Sequence, residues 1–541
     1  MNICFVVEDY PPAKFQGGVG IAFRDLARES IARGHNVYVI SRAWGASESR
    51  AEDCGVKVER VRLLDVSWPG FWRLERWLPP MTLRALKYSA RVNQRLQQLI
   101  AQHHIDVVVS SSLIDETCWY ALCSREKRVP LVVSLQGTDF LTRPFGKRGG
   151  QVDWWLPTWL EMRLIRRADA RQSVSRLTAQ QVARRLNIPV DDIALIPNPV
   201  NIDRFTTLPA STHGSGKPRV LFVGQLETRK GIEVLAQAIP KVHQALQDVE
   251  FTFIGPDRMD AQGRSMMTRA RELMGASCDR ARFLGQIPND DLAAYYHNST
   301  VCVFPSLYEP FGIVCLEAMA CGKPVIVTKG TGFAEIVQDR VNGWPVEPGH
   351  VEELARAIID LMTDEPMRLQ FGQAARRTVE EHFAGPKIAD RWFALLERVS
   401  AQAAKDASSS AQDQQTRHVA VDSSKASKAY WDEHWTSYRP KAVTSVLFED
   451  VFHAYLPYDS RLRCLEIGCV PGEFLCYLAK RFGYEVHGVD FSDQLDVVRQ
   501  LFAANGVTRY ALHHADFRTW EPQQTYDVVV SFGFIEHFLD Y

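Results

Sequence analysis

The chain has 541 residues, 46% of them hydrophobic and 23% charged, with 63 basic against 64 acidic side chains and a formal net charge of −1. A chain of this length holds about three domains of ordinary size, and so even a charge balance excludes a global field that would recruit nucleic acid or anionic lipid. Its 11 cysteines, scattered without C-x-x-C spacing, read as reduced core residues, and the lack of any uninterrupted apolar run of about 18 residues argues against a membrane span.

Asn2–Val7 reads as a buried strand, too short and too uncharged at its start to be a signal sequence, so a cytoplasmic protein is expected. A loop through Gly17-Gly18-Val19-Gly20, a helix to about Gly34 and a strand at Asn36–Ile40 complete a parallel strand–helix–strand unit. The pair Gly17-Gly18 lets the backbone approach a phosphate or an acceptor, although such a pair alone is more often turn chemistry. Eight of the 13 tryptophans precede residue 160; Trp68, Trp72 and Trp77 lie among Arg62, Arg73, Arg76 and Arg84, and Trp154, Trp155 and Trp159 lead into Arg163, Arg166, Arg167 and Arg171. Such clusters suit peripheral membrane association with a lipid-linked acceptor, or stacking on sugar rings; packing beside a solvated helix face is the plainer reading. A helical pattern over Leu83–Ala101 and short strands at Ile105–Val109, Leu131–Ser134 and Ala170–Val174 extend the alternation, giving a first Rossmann-like, acceptor-side domain over 1–205.

Ser211–Pro218 is rich in Ser, Gly and Pro and marks an interdomain linker; the pattern restarts at Arg219–Gly224, opening a second domain over 206–400. After that strand, Arg229-Lys230-Gly231 sets a cationic pair before the next helix, where cations can meet the charge of a departing diphosphate. Further on, Val301–Phe304 is a strand, Pro305–Pro310 a turn, and Phe311 onward a helix whose first amides lack intrahelical partners. Those amides and the helix dipole suit a diphosphate, with Phe311 and Gly312 at the point of closest approach. Glu317, inside the helix, is placed to accept hydrogen bonds from a ribose diol, and Glu309, before it, to reach the sugar beyond the phosphates.

The run from Tyr308-Glu309-Pro310-Phe311-Gly312 to Cys321-Gly322-Lys323-Pro324-Val325 resembles, nearly residue for residue, the retaining glycosyltransferases of family 4, and the resemblance extends over about residues 1–400. It implies an α/β fold of two Rossmann-like domains in a GT-B arrangement, a nucleotide-sugar donor held by the second domain, and a last helix over 386–399 crossing back onto the first. It also implies retention of configuration without an enzyme nucleophile, the leaving phosphate taking the acceptor proton. No D-x-D pair is present, so no metal is required. Two positions depart from the family: Gln225 stands where an arginine is usual, leaving Lys230 as the main counter-charge for the diphosphate with Arg229 its substitute, and Gln136 stands where a histidine is usual, leaving Asp139 to orient a sugar hydroxyl. Paired carboxylates also serve glycoside hydrolysis, but that chemistry needs no phosphate-cradling helix start.

Residues 401–427 shift to Ala, Ser, Gln and Asp, the composition of a flexible linker. In 428–541, the run Cys464-Leu465-Glu466-Ile467-Gly468-Cys469-Val470-Pro471-Gly472 resembles class I methyltransferases that use S-adenosylmethionine. The resemblance implies a cofactor held by Glu466, Gly468 and Gly472, with Asp490 on the ribose and Asp516 near the adenine; Val470 departs from the usual middle glycine. Because the chain stops at Tyr541, before the acceptor-binding half of such a domain, this partial Rossmann-like domain is expected to be a fragment or catalytically dead, with an unpaired apolar edge strand. Gln225, Gln136 and Val470 favour a second reading, a scaffold protein with degenerate Rossmann-like domains, which the intact Glu309, Glu317 and Lys230 oppose. A third, an NAD-dependent oxidoreductase, lacks a G-x-G-x-x-G after the first strand. The expected role is surface polysaccharide synthesis on a glycan or lipid-linked saccharide at the inner face of the membrane. Nucleobase, sugar, acceptor, methyl acceptor and oligomeric state stay open.

Overall fold

The computed structural model describes residues 1–12, 17–44, 48–62, 80–112, 114–123, 128–142, 152–207, 217–260, 262–416, 438–444, 446, 452, 456–517 and 520–531. Two compact units form, Met1–Gln412 and Asp413–Tyr541.

In the first unit the alternation predicted from sequence builds two sheets. The first contains β1 (Asn2–Val6), β2 (Asn36–Arg42), β3 (Ser49–Asp53), β4 (Val56–Val61), β5 (Val107–Ser111), β6 (Leu131–Leu135), β7 (Ala170–Ser173) and β8 (Ile193–Leu195). Their order is β3-β4-β2-β1-β5-β6-β7-β8, parallel except for β3 against β4. The second contains β9 (Arg219–Val223), β10 (Glu250–Ile254), β11 (Ala281–Phe283), β12 (Val301–Phe304), β13 (Val325–Thr328) and β14 (Trp344–Val346), all parallel, in the order β11-β10-β9-β12-β13-β14. Central strands such as β5, β6 and β12 are buried along their whole length, as sheets covered on both faces require. The strand order reverses between β1 and β5 and again between β9 and β12, and crevices at such switch points, beyond the carboxyl ends of the strands, are where open α/β sheets bind ligands.

One long helix ties the two sheets together. Gly385–Thr416 follows the second domain and lays Ile388, Trp392, Phe393 and Leu396 into the core formed with Ile3, Phe5, Val37 and Val39 of the first sheet. Val200 N–H donates to Phe383 O at 3.0 Å and the Arg33 guanidinium to Pro386 O at 2.7 Å, fixing the crossing. The helix runs on to Thr416, so the first part of the stretch expected to be a flexible tether is helical. Its Ala, Gln and Lys content explains this, since these residues favour helix without burial; the rest of that linker lies outside the described residues.

The second unit has β15 (Arg463–Ile467), β16 (Glu485–Asp490), β17 (Tyr510–His514) and β18 (Val528–Val530), parallel in the order β17-β16-β15-β18. β18 pairs with β15 on one side and leaves Val529 56% exposed. No helix among the described residues is long and apolar enough to cross a membrane.

Trp392→Ala removes the largest fully buried side chain from the crossing helix. It should cost about 3–5 kcal/mol, read as a lowered denaturation midpoint of the first unit; an unchanged midpoint would mean the crossing is not part of the first domain's core.

Candidate active site

The loops after β9 and β12 meet through their backbones. Gly231 closes the turn Thr228–Lys230 with φ 70°, and a Cβ there would stand 1.9 Å from Pro305 O. With the turn held this close, Leu307 N–H donates to Arg229 O at 2.8 Å, and Lys230 Nζ reaches Glu309 Oε2 at 2.5 Å. The two residues read from sequence as counter-charge and sugar-binding carboxylate therefore form an ion pair, both largely buried. Arg229 does not join them. Its guanidinium pairs with Glu227 at 2.6 Å and reaches Tyr308 O at 3.4 Å, bracing the loop, so the expected substitute for Lys230 is occupied elsewhere.

The helix beyond the loop is Ile313–Ala320, with Gly312 at its N-cap (φ 105°) and no side chain capping it. The ring of Phe311 is a core group, the residue 3% exposed and the ring 6.1 Å from Phe383, so what it can offer a ligand is its backbone. Gly312 is required by the Phe333 ring, which a Cβ would meet at 2.1 Å, so packing explains the glycine without an anion. Glu317 is 2% exposed: Asn289 Nδ2 donates to one carboxylate oxygen at 2.8 Å and the Tyr296 hydroxyl to the other at 2.9 Å. Burial pushes its pKa up to about 7, against the lowering effect of those two donors. The ribose assignment thus meets a carboxylate already in a structural network, with one further lone pair on each oxygen.

The first domain faces these loops with its own glycines. A Cβ on Gly18 would lie 3.3 Å from Ile313 Cδ1, and one on Gly137 would lie 2.8 Å from Pro310 Cγ. Gly17 N–H donates at 2.7 Å to Asp9 Oδ2, a carboxylate whose burial raises its pKa to about 6. Asp9 therefore occupies amides at the start of the helix Gly18–Ala32, and the glycine pair is shaped by it; a carboxylate just before a glycine loop was the overlooked signal. Gln136 and Asn198 exchange amide hydrogen bonds of 2.9 and 2.7 Å, so the position where a histidine is usual is a closed polar pair. Asp139 begins a short helix, and its side chain lies outside what is described.

Contacts between the domains are specific. Glu335 accepts the Arg176 and Leu177 amides, each at 2.8 Å, at the open end of the helix Arg176–Leu186. Tyr308 donates to Gln181 at 3.0 Å. Arg24 reaches Asp290 at 3.2 Å, and Arg204 bridges Asp25 and Asp290 at 3.4 and 3.3 Å. In the second tryptophan–arginine cluster the described arginines are engaged within the fold. Arg166, Arg167 and Arg171 are tied to backbone carbonyls of neighbouring segments, and Arg163 lies over Trp159 at 5.4 Å. Trp68, Trp72, Trp77, Arg73 and Arg76 lie outside the described residues.

In the second unit, Asp490 at the end of β16 accepts Val470 N–H at 3.0 Å and Ser492 N–H at 2.9 Å, clamping the turn after β15. Val470 packs into that unit's core, so its departure from glycine does not fill the turn. Glu466 is buried, which raises its pKa well above the ordinary value, and its Oε2 has no hydrogen-bond partner. An unpaired buried acceptor beside Gly468 and Gly472 fits a cofactor that brings a donor or a positive charge. Asp516 follows β17, with its carbonyl accepting Trp520 N–H at 2.9 Å.

This construction, two facing Rossmann-like domains with a crossing helix, defines a GT-B transferase. Residues 16–204 match the family described as Glycosyltransferase Family 4, residues 203–378 match Glycosyl transferases group 1, and residues 464–541 match Methyltransferase domain. The chain belongs to the glycosyltransferases of family 4 over its first unit and carries a methyltransferase domain in its second. It is 27% identical over 408 residues to an uncharacterized glycosyltransferase of Methanocaldococcus jannaschii, covering 72% of this chain and 96% of that one. A phosphatidyl-myo-inositol mannosyltransferase of Mycobacterium leprae is 31% identical over 217 residues, 39% of this chain and 55% of that one. Anabaena HepE, solved in complex with UDP and glucose, shares the fold with a TM-score of 0.56 at 21% identity, over 73% of this chain and 99% of that one.

The raised pKa of Glu317 has a signed consequence. Between the ordinary value of 4.5 and about 7 the folded state holds a proton that the unfolded state releases, so this group's contribution to stability falls as pH rises through that window. Glu317→Gln should show a shallower fall in denaturation midpoint between these pH values than the wild type; equal slopes would place the titration elsewhere.

Proposed function

We propose that the protein transfers a sugar from a nucleotide-sugar donor to a glycan or lipid-linked saccharide, with retention of configuration, in surface polysaccharide synthesis at the inner face of the membrane. The observation that carries this reading is the Lys230–Glu309 pair at the β9–β12 switch point, opposite Gly18 and Gly137. An arriving diphosphate competes for Lys230. Once Lys230 turns to the phosphate, Glu309 is left as a desolvated acceptor for the hydroxyls of the donor sugar. Charge that develops on the leaving oxygen as the glycosidic bond breaks is met by Lys230 and by the uncapped amides that open the helix Ile313–Ala320. The acceptor hydroxyl, entering from the first domain, passes its proton to the departing phosphate, and Asp139 orients a sugar hydroxyl. Gly17 and Gly18, without side chains, let the backbone come close to the phosphate or the acceptor. Glu317 contributes its remaining lone pairs to the ribose. UDP and glucose bound in HepE, and the phosphatidyl-myo-inositol for which the mannosyltransferase is named, support the classes of donor and acceptor.

The second unit is proposed to bind S-adenosylmethionine through Glu466, Gly468, Gly472, Asp490 and Asp516. When bound, that cofactor supplies an electrophilic methyl group; the protein residues hold and orient it, Glu466 offering its unpaired oxygen.

The experiment is a transfer and hydrolysis screen of UDP-, GDP- and ADP-sugars with the full chain. Lys230→Ala should lower turnover by about 10²-fold or more, with Glu309→Gln comparably impaired. Turnover by Lys230→Ala equal to that of the wild type would remove the assignment. In the second unit, calorimetric titration with S-adenosylhomocysteine should give binding that Glu466→Ala weakens about tenfold; no binding by the wild type would leave the unit without its cofactor.

A further inference from the structure

The charge count in the donor site is incomplete. A diphosphate brings about two negative charges, Lys230 begins neutralised by Glu309, and Arg229 is held by Glu227. A second cation lies on the neighbouring loop. The segments after β9 and β10 are zipped together: Leu226 N–H donates to Pro256 O at 3.0 Å and Arg258 N–H to Leu226 O at 3.2 Å. Gly255 approaches so closely that a Cβ on it would lie 1.9 Å from Gly224 O, and a Cβ on Gly224 would lie 3.9 Å from Lys230 Cδ. Arg258 thereby stands beside Gln225 at the carboxyl edge of the sheet, and its Nε donates to Gln225 Oε1 at 3.0 Å. Arg264 and Arg269 close by pair with Asp260 and Glu233, whereas Arg258 forms no ion pair among the described residues. Asp257, its neighbour, is occupied by Ser265 and the Met267 amide.

We propose that Arg258, steered by Gln225, is the second cation for the donor diphosphate. The Gln225 carbonyl takes Nε and so fixes the plane of the guanidinium, leaving its two terminal nitrogens to bind phosphate oxygens in a fork. The glutamine at the position where an arginine is usual then acts as the holder of an arginine supplied from the next loop. This rests on the donor reading above, and the test separates the two. Full-length wild type, Arg258→Ala, Arg258→Lys and the double variant Gln225→Arg/Arg258→Ala are titrated with UDP, GDP and ADP, and with uridine, guanosine and adenosine, by calorimetry. Expected is a loss of about tenfold or more in affinity for the bound diphosphate in Arg258→Ala. The matching nucleoside should bind unchanged, Arg258→Lys should recover part of the loss, and the double variant should recover most of it. Equal diphosphate affinity in wild type and Arg258→Ala overturns the role of Arg258 while leaving the donor site standing; equal losses for diphosphate and nucleoside overturn it too, by making the effect structural. A wild type that binds none of the three diphosphates removes the donor reading and this inference with it.

Discussion

The donor site depends on a backbone crossing. Gly231 lies so close to Pro305 O that no side chain fits between them, and this contact joins the loop after β9 to the loop after β12 at the reversal of strand order. With the crossing fixed, Arg229 O receives the Leu307 amide, and Glu309 O receives the Gly332 amide at 2.7 Å. Main-chain bonds thus hold the backbones that carry Lys230 and Glu309, and their two side chains span the remaining distance to the 2.5 Å contact.

The second constraint is electrostatic. Charged groups enter the interior of the first unit in linked sets: Arg24, Asp25 and Arg204 between the domains, met at their edge by the exposed Asp290, and Glu317 with Asn289 and Tyr296 behind them. Burying one of the charged members alone would cost several kcal/mol, so the packing of one domain on the other and the protonation of Glu317, which feels Arg204 and Asp25, belong to the same network. Asp9 plays a comparable part on the opposite wall, holding the glycine loop by its amides. The second unit repeats the device: Asp490 reaches back to the Val470 amide and sets the turn that follows β15. A carboxylate that shapes a loop and a carboxylate that binds a ligand share residue type and position in the chain; they differ in whether their lone pairs are already taken.

Class and order of the parts were legible in local sequence patterns. The alternation of apolar strands with helices, the glycine loop after β1, the cationic pair after β9 and the Glu309–Glu317 segment are local patterns, and local physics places each at a strand end or helix start. What those residues touch follows from packing between distant segments. Phe311 became core because Phe383 arrives beside it, and Gly312 was needed for Phe333. Arg229 turned to Glu227 while Arg258, on the next loop, took the place beside Gln225. The helix expected to end near 400 continued to Thr416 because its composition favours helix with or without a partner. Partners brought together across tens or hundreds of residues leave no periodicity to read. Burial and the competition for each lone pair are properties of the packed chain, which is why the motif could name the reaction and only the fold could assign its charges.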